Sequence, residues 1–346
     1  MISRDLSRPN FLTVLVIVIQ LSVIHSTMAL TPDEMAVIIN VQDPLSIKIG
    51  EYYQQKRLIP EENVLRLSFI PGRSLMAPHE FTKLRTGLEQ SLPSSIQAYA
   101  LAWTLPFRVG CMSITTAFAA GYNQVFCSRT CRATQRSPYF NSGSEHPFND
   151  FRWRPSMMLA ARSFEQAKAL IDRGVKADGT KPHGTAWLLN TDDKARNVRS
   201  VYYRGIIEKL SGAFNVNQVS ANYLKNKKNI LFYFTGTTSV AELKSNTFLP
   251  GAIADHLTSA GGVLNGFRQM SSLHWLEAGA TGSYGTVVEP CNILAKFPHP
   301  GIVTDRYLKG DTLIEAYWKS VAQPGQGVFI GEPLARPFQK NKNKIK

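Results

Sequence analysis

The sequence predicts an α/β fold, with a mostly parallel sheet in three layers and helices on both faces. Three observations carry this. From Met35 onward, short β-branched apolar runs alternate with longer stretches of helical apolar spacing. Runs such as MAVIIN, AYALAWTL and NILFYF lack polar alternation, as strands buried on both faces do. Asn, Asp, Ser and Thr cluster directly after these runs, where a strand hands over to a helix.

The elements follow in order. Met35–Asn40 is a strand, and Asp43-Pro44-Leu45-Ser46 starts a helix whose apolar spacing runs from Ser46 to Arg57 before Pro60. Asn63–Phe69 is a second strand, Phe81–Leu92 a helix closed by Pro93, and Ala98–Leu105 a strand stopped by Pro106. Residues 106–155 break the rhythm. They are rich in cysteine, arginine and aromatics and read as an insertion, either a lid or a substrate-facing excursion. Alternation resumes with a strand at Met157–Ala161, a helix at Ser163–Arg173 closed by Gly174, a strand at Thr185–Asn190 and a helix at Lys194–Leu210. Asn229–Phe234 and Gly251–Ala254 are strands, and Ser272–Glu277 begins a helix. Ala280–Thr286 reads as a glycine-rich turn, Thr312–Val321 as an amphipathic helix and Val328–Gly331 as a final strand. The expected organisation is therefore a signal peptide (1–29), a first α/β half (30–105), the insertion (106–155), a second half (156–338) and a basic tail (339–346).

Composition sets the remaining bounds. The chain has 346 residues, 44% hydrophobic and 18% charged, which is globular. Arg4 and Arg8 precede the apolar stretch Phe11–Ile24, and Thr27-Met28-Ala29 ends in a small residue, the pattern of a secretory signal cleaved after Ala29. That apolar stretch is short for a bilayer span, and no later segment is long and apolar enough, so an exported chain without a transmembrane helix is expected, periplasmic or extracellular. A net charge of +14 favours an anionic surface or acidic polymer as partner. A protein or peptide partner also fits. Zinc-finger spacing, a basic zipper and an aromatic RNA-binding signature are absent, which argues against nucleic acid. Export predicts pairing among Cys111, Cys127, Cys131 and Cys291, with three connectivities open and a bridge within Cys111–Cys131 favoured.

Parallel sheets bind ligands at the carboxyl ends of their strands. Five strand ends deliver polar groups there: Asn40 with Asp43 and Ser46, Thr104, Asn190, Thr235-Gly236, and Asp255-His256. Capping alone accounts for Asp43 and Ser46. It accounts less well for His256 directly after Asp255, a candidate general base beside an acid. His274 and Glu277, three apart on a helix, share a face; a surface His beside a carboxylate is favoured there over a metal site. Ser259 lies close to these groups in sequence, without a G-x-S-x-G elbow. Cys291 is a candidate thiol nucleophile or a buried or paired cysteine. The turn at Ala280–Thr286 offers amides to an anion but lacks the Lys-Ser or Lys-Thr of a P-loop. The catalytic candidates are thus Asp255, His256, His274 and Glu277, and the ligand-binding candidates Asn40, Asp43, Ser46, Thr235, Gly236 and Ser259. No metal is expected, and no motif specifies a cofactor.

The spaced set Asn40, Asp43, Ser46, Tyr52-Tyr53, Arg57, Ile59-Pro60 and Asn63-Val64, together with GAIADHLTSAGG, GATGSYGTVVEP, KFPHP and GEPLARPF, resembles a bacterial secreted family found in genomes that carry exosortase-type protein-sorting systems. That resemblance spans about Met35 to Phe338 and implies an envelope or sorting context without a reaction. A more distant similarity is to gingipain-like and caspase-like cysteine peptidases, which place His-Gly after one buried strand and a catalytic Cys after the next. Here Thr235-Gly236 stands at the first place and Asp255-His256 near the second, while Ala278-Gly279-Ala280 and Gly331-Glu332-Pro333 fit later landmarks. The similarity implies a caspase-like sheet, with a Rossmann-like one as the alternative, and both peptidase residue types missing. Two readings follow: a hydrolase with a strand-end pocket, or a non-catalytic binding protein on a degenerate peptidase-like fold.

Overall fold

The structure, a computed structural model, describes residues 29–128, 130–212, 214–266 and 268–339. The expected signal peptide up to residue 28 and the tail from residue 340 lie outside the described residues. The chain forms β1 (Met35–Asn40), α1 (Pro44–Arg57), β2 (Val64–Leu67), β3 (Leu75–Met76), α2 (Pro78–Ser91), β4 (Ala98–Leu101), β5 (Arg108–Val109), β6 (Met112–Ser113), α3 (Ile114–Ala120), α4 (Pro147–Phe151) and β7 (Ser156–Met158). It continues through α5 (Phe164–Ala177), β8 (Thr185–Asn190), α6 (Tyr203–Leu210), β9 (Asn215–Ser220), β10 (Ile230–Gly236), β11 (Phe248–Leu257), α7 (Leu273–Ala278), β12 (Gly282–Thr286), α8 (Pro300–Leu308), α9 (Leu313–Ser320) and β13 (Gly327–Gly331).

Ten strands make one sheet in the order β2-β1-β4-β7-β13-β12-β11-β10-β8-β9, and β3, β5 and β6 form a small second sheet. Pairing is parallel from β2 through β7 and from β12 through β9, whereas β13 runs antiparallel to β12, with Tyr284 opposite Phe329. Helices cover both faces, as the apolar runs require. Tyr53, Ile171, Ile206, Val303 and Trp318 from α1, α5, α6, α8 and α9 pack on Val37, Phe232, Ile253 and Phe329. On the opposite face Phe81, Phe118 and Leu273 from α2, α3 and α7 meet Ile38, Leu101 and Ile330, while Trp275 meets Tyr233 and Ala254. The helix starts obey local chemistry: Asp43, Ser113 and Ser163 each accept a first-turn amide, and Thr312 and Glu315 form a buried capping box.

Three expectations change, and one strand was not anticipated. Ala280–Thr286 is not a turn able to hold an anion; Gly282–Thr286 is the buried strand β12. Glycine is needed there because the neighbours come too close for side chains. A Cβ on Gly285 would sit 2.3 Å from the Gly261–Gly262 backbone. The strand expected at Gly251–Ala254 runs on to Leu257, which puts Asp255 and His256 inside it rather than beyond its end. The segment expected as one helix from Lys194 starts instead as a 3-10 turn at Asn197–Tyr202. The polar edge strand β9, mostly exposed, has no apolar pattern to announce it. Within residues 106–155, α3 is buried against β7 and β13.

Candidate functional site

A cavity of about 450 Å³ opens at the carboxyl ends of β1, β4 and β7. Leu45, Trp103, Leu105, Leu264 and Leu273 form its apolar wall. Its polar members are Asp43, Thr104, Arg162 and Asn265. Each is already engaged. Asp43 Oδ1 accepts the Leu45 amide at 2.9 Å. Thr104 Oγ1 donates to the Ala161 carbonyl at 2.7 Å and accepts its amide at 2.8 Å. Arg162 Nε donates to Glu277 Oε1 at 2.8 Å, and Asn265 Nδ2 to Ser74 Oγ at 3.0 Å. With Arg162 paired to Glu277, Asp43 is the lining carboxylate that forms no ion pair among the described residues, its Oδ1 capping α1.

The expected centre on β10 and β11 does not assemble. Consecutive strand residues point to opposite faces, and Asp255 and His256 do so. Asp255 is buried against Arg199, whose Nη1 donates to Oδ1 and whose Nη2 donates to the carbonyls of Thr235 at 2.8 Å and Asp255 at 3.2 Å. Burial is opposed by the Asp255 charge, which holds Arg199 protonated above its ordinary range. The sequence did not single out Arg199; its place four and seven residues before the buried Tyr203 and Ile206, an arginine on an otherwise apolar stripe, is the signal that could have found it.

On the other face, His256 is 2% exposed and fully bonded. Trp275 Nε1 donates to its Nδ1 at 2.9 Å, so Nδ1 is the acceptor and Nε2 carries the proton that it gives to the Met270 carbonyl at 3.0 Å. Burial lowers its pKa from 6.5 to about 3. This corrects the expectation of a general base: the only lone pair that could take a proton or a metal is spent on Trp275, which the sequence did not single out. His274 lies 3.9 Å from Glu277 Oε2 and Glu277 is held by Arg162, so this pair is a half-exposed surface cluster.

The remaining candidates are placed as follows. Asn40 Nδ2 donates to the Phe69 carbonyl at 2.9 Å, its Oδ1 accepts the Phe69 amide, and its own amide donates to Ser46 Oγ at 2.9 Å. Asn40 thus stitches the end of β1 to the chain beyond β2, and Ser46 ties it to α1. Thr235 is buried, its hydroxyl without a partner among the described residues. Gly236 accepts from Thr191 Oγ1, and a Cβ there would meet the Arg196 carbonyl at 2.0 Å. The Ser259 carbonyl accepts from Thr286 Oγ1 at 3.0 Å. Cys111 pairs with Cys127 and Cys131 with Cys291, so the bridge favoured within 111–131 exists and Cys291 is no nucleophile. Among the described residues no three His, Cys, Asp or Glu side chains gather to hold a metal ion, and no helix is long and apolar enough to cross a membrane.

No protein-family model matches the chain, and no curated protein matches it. Among solved structures it is similar to the complex of Porphyromonas gingivalis RgpB pro- and mature domains, at 9% identity over 88% of this chain and 79% of that one, with a TM-score of 0.43. It is also similar to a structure described as a protease, at 11% identity over 90% and 80% of the two chains, with a TM-score of 0.40.

Proposed function

We propose that the cavity at the ends of β1, β4 and β7 is a binding site rather than a reaction centre, and that its ligand joins an apolar group to an amine. One observation carries this: the cavity has a Trp- and Leu-lined wall and one carboxylate, Asp43, that caps α1 but forms no ion pair among the described residues, while Arg162 is paired with Glu277 and Thr104 and Asn265 bond to the protein. Such a site recognises by burial and one charge-assisted bond. An apolar side chain of a polypeptide bearing a nearby amino group meets both demands. Ile70, next in sequence to the lining residue Pro71, is an apolar residue 59% exposed. The two disulfides support an exported chain, periplasmic or extracellular, and an envelope or sorting-linked role is the context in which we place the binding.

Trp103 makes the test direct. Phenylalanine amide titrated into the protein should change tryptophan fluorescence saturably, and Trp103→Phe should abolish that change. N-acetylation of the probe or Asp43→Asn should weaken binding about tenfold, a loss of ~1.4 kcal/mol. Asn at this position still caps α1, so stability is kept. No saturable change, or equal binding of the acetylated probe, would remove the proposal.

A further inference from the structure

One buried cation lies outside this cavity and outside every carboxylate-paired network described above. Lys296 ends the 3-10 turn Leu294–Lys296 and is fully buried. Its Nζ donates to Ser128 Oγ at 3.0 Å. Among the described residues it forms no ion pair. The acidic group that acts on it is Glu289, whose Oε1 is engaged by the Cys291 amide at 2.7 Å. Fully buried lysines ordinarily sit against a carboxylate. Here the hydrogen-bond partner is a hydroxyl on a partly exposed residue.

The surroundings hold the two side chains together. Ser128 lies between Cys127 and Cys131, and Cys131 is bridged to Cys291, which opens the segment carrying Lys296. A third segment, the 3-10 turn Pro324–Gln326, knits both. Gln326 Nε2 donates to the Phe126 carbonyl, and the Gln323 amide donates to the Ala295 carbonyl at 2.7 Å. Tyr284 Oη, from β12, donates to the Lys296 carbonyl at 2.5 Å. The pair is thereby fixed beside the carboxyl end of β12, where parallel sheets present ligand sites.

We propose that Ser128 and Lys296 form a serine–lysine dyad that accepts an acyl group from carboxylic esters on Ser128 Oγ. Serine is a weak nucleophile until a neighbouring base takes its proton, and a buried lysine serves when it is neutral. Burial lowers the Lys296 pKa below its ordinary value, with Glu289 opposing. In the step, the neutral Lys296 amine takes the Ser128 hydroxyl proton as Oγ bonds to the ester carbonyl carbon. The carbon–alkoxide bond breaks, and the departing alkoxide takes the proton from the Lys296 ammonium. Water then releases the acid by the same relay, returning Ser128 to its hydroxyl form. In the structure Lys296 donates to Ser128, whose own proton goes to the Thr130 carbonyl at 2.6 Å. Loss of one lysine proton lets that hydroxyl turn towards Nζ.

The experiment treats the full disulfide-bonded chain with a fluorophosphonate probe and locates the adduct by peptide mass spectrometry. Labelling is expected on Ser128, absent in Ser128→Ala, and at least about 100-fold slower in Lys296→Met. Its rate should rise tenfold per pH unit while Lys296 is still mostly protonated. A Ser128 that stays unlabelled overturns the proposal, as does labelling that ignores Lys296→Met. If that variant does not fold, the wild-type pH profile decides, and a rate unchanged between pH 6 and about 9 overturns it. The dyad stands independently of the strand-end cavity, since phenylalanine amide binding and Ser128 labelling read different residues.

Discussion

His256 is held neutral by the fold, and that has a measurable cost in acid. In the folded chain its pKa is about 3, lowered by burial. In the unfolded chain it is about 6.5. Between those values the unfolded state binds one proton more than the folded state. Stability contributed by neutral His256 is therefore complete above pH 6.5 and falls as the pH drops towards 3, by about 1.4 kcal/mol per unit. From pH 7 to pH 5 the loss is about 2 kcal/mol. Protonation would also turn Nδ1 into a donor facing the Trp275 N–H, so the energetic and geometric arguments agree. The assay is urea unfolding of wild type and His256→Phe at both pH values. The variant loses the acceptor for Trp275, so it starts about 1–3 kcal/mol less stable. It should then lose about 2 kcal/mol less than wild type on acidification. His299, also lowered by burial, contributes equally to both proteins and cancels. Equal losses would refute the reasoning, and His256 would return as a titrating group open to chemistry.

Two further outcomes follow from the Arg199–Asp255 pair and the Cys131–Cys291 bridge. Arg199→Met strands the Asp255 carboxylate and two carbonyls, and should cost about 3–5 kcal/mol in equilibrium unfolding; Arg199→Met with Asp255→Leu should recover most of it, because no charge is then left buried. Replacing Cys131 and Cys291 together by serine removes a link across 160 residues and should cost about 2–5 kcal/mol, read as a lower urea midpoint, and should slow Ser128 labelling as well.

The layered α/β architecture was readable because doubly buried strands write continuous apolar runs: MAVIIN and TAWLLN occupy the large sheet, as does AYAL, the first half of the run expected as a strand to Leu105. β12 was misread because GSYGT has the composition of a turn; its glycines answer to Gly261, Gly262 and Leu313, which are distant in sequence or unrelated to local propensity. β9 was missed because an exposed edge strand needs no apolar pattern. At the site, Asp43 and Thr104 were visible as strand-end polar residues, and both line the cavity. Arg162 and Asn265 were not, since nothing local separates a cavity arginine or asparagine from a surface one.

What the sequence determined by itself was which segments are buried and where strands give way to helices, because hydrophobic period and capping are local properties of the chain. What only the tertiary structure decided was what the polar residues do. Asp255 and His256 are neighbours in sequence, yet the strand's two-residue period sends one to Arg199 and the other to Trp275. Ser128 and Lys296 are separated by most of the second half of the chain, yet lie 3.0 Å apart. A side chain's chemistry depends on its partners and its exposure, and both are set by contacts between segments that no local pattern encodes.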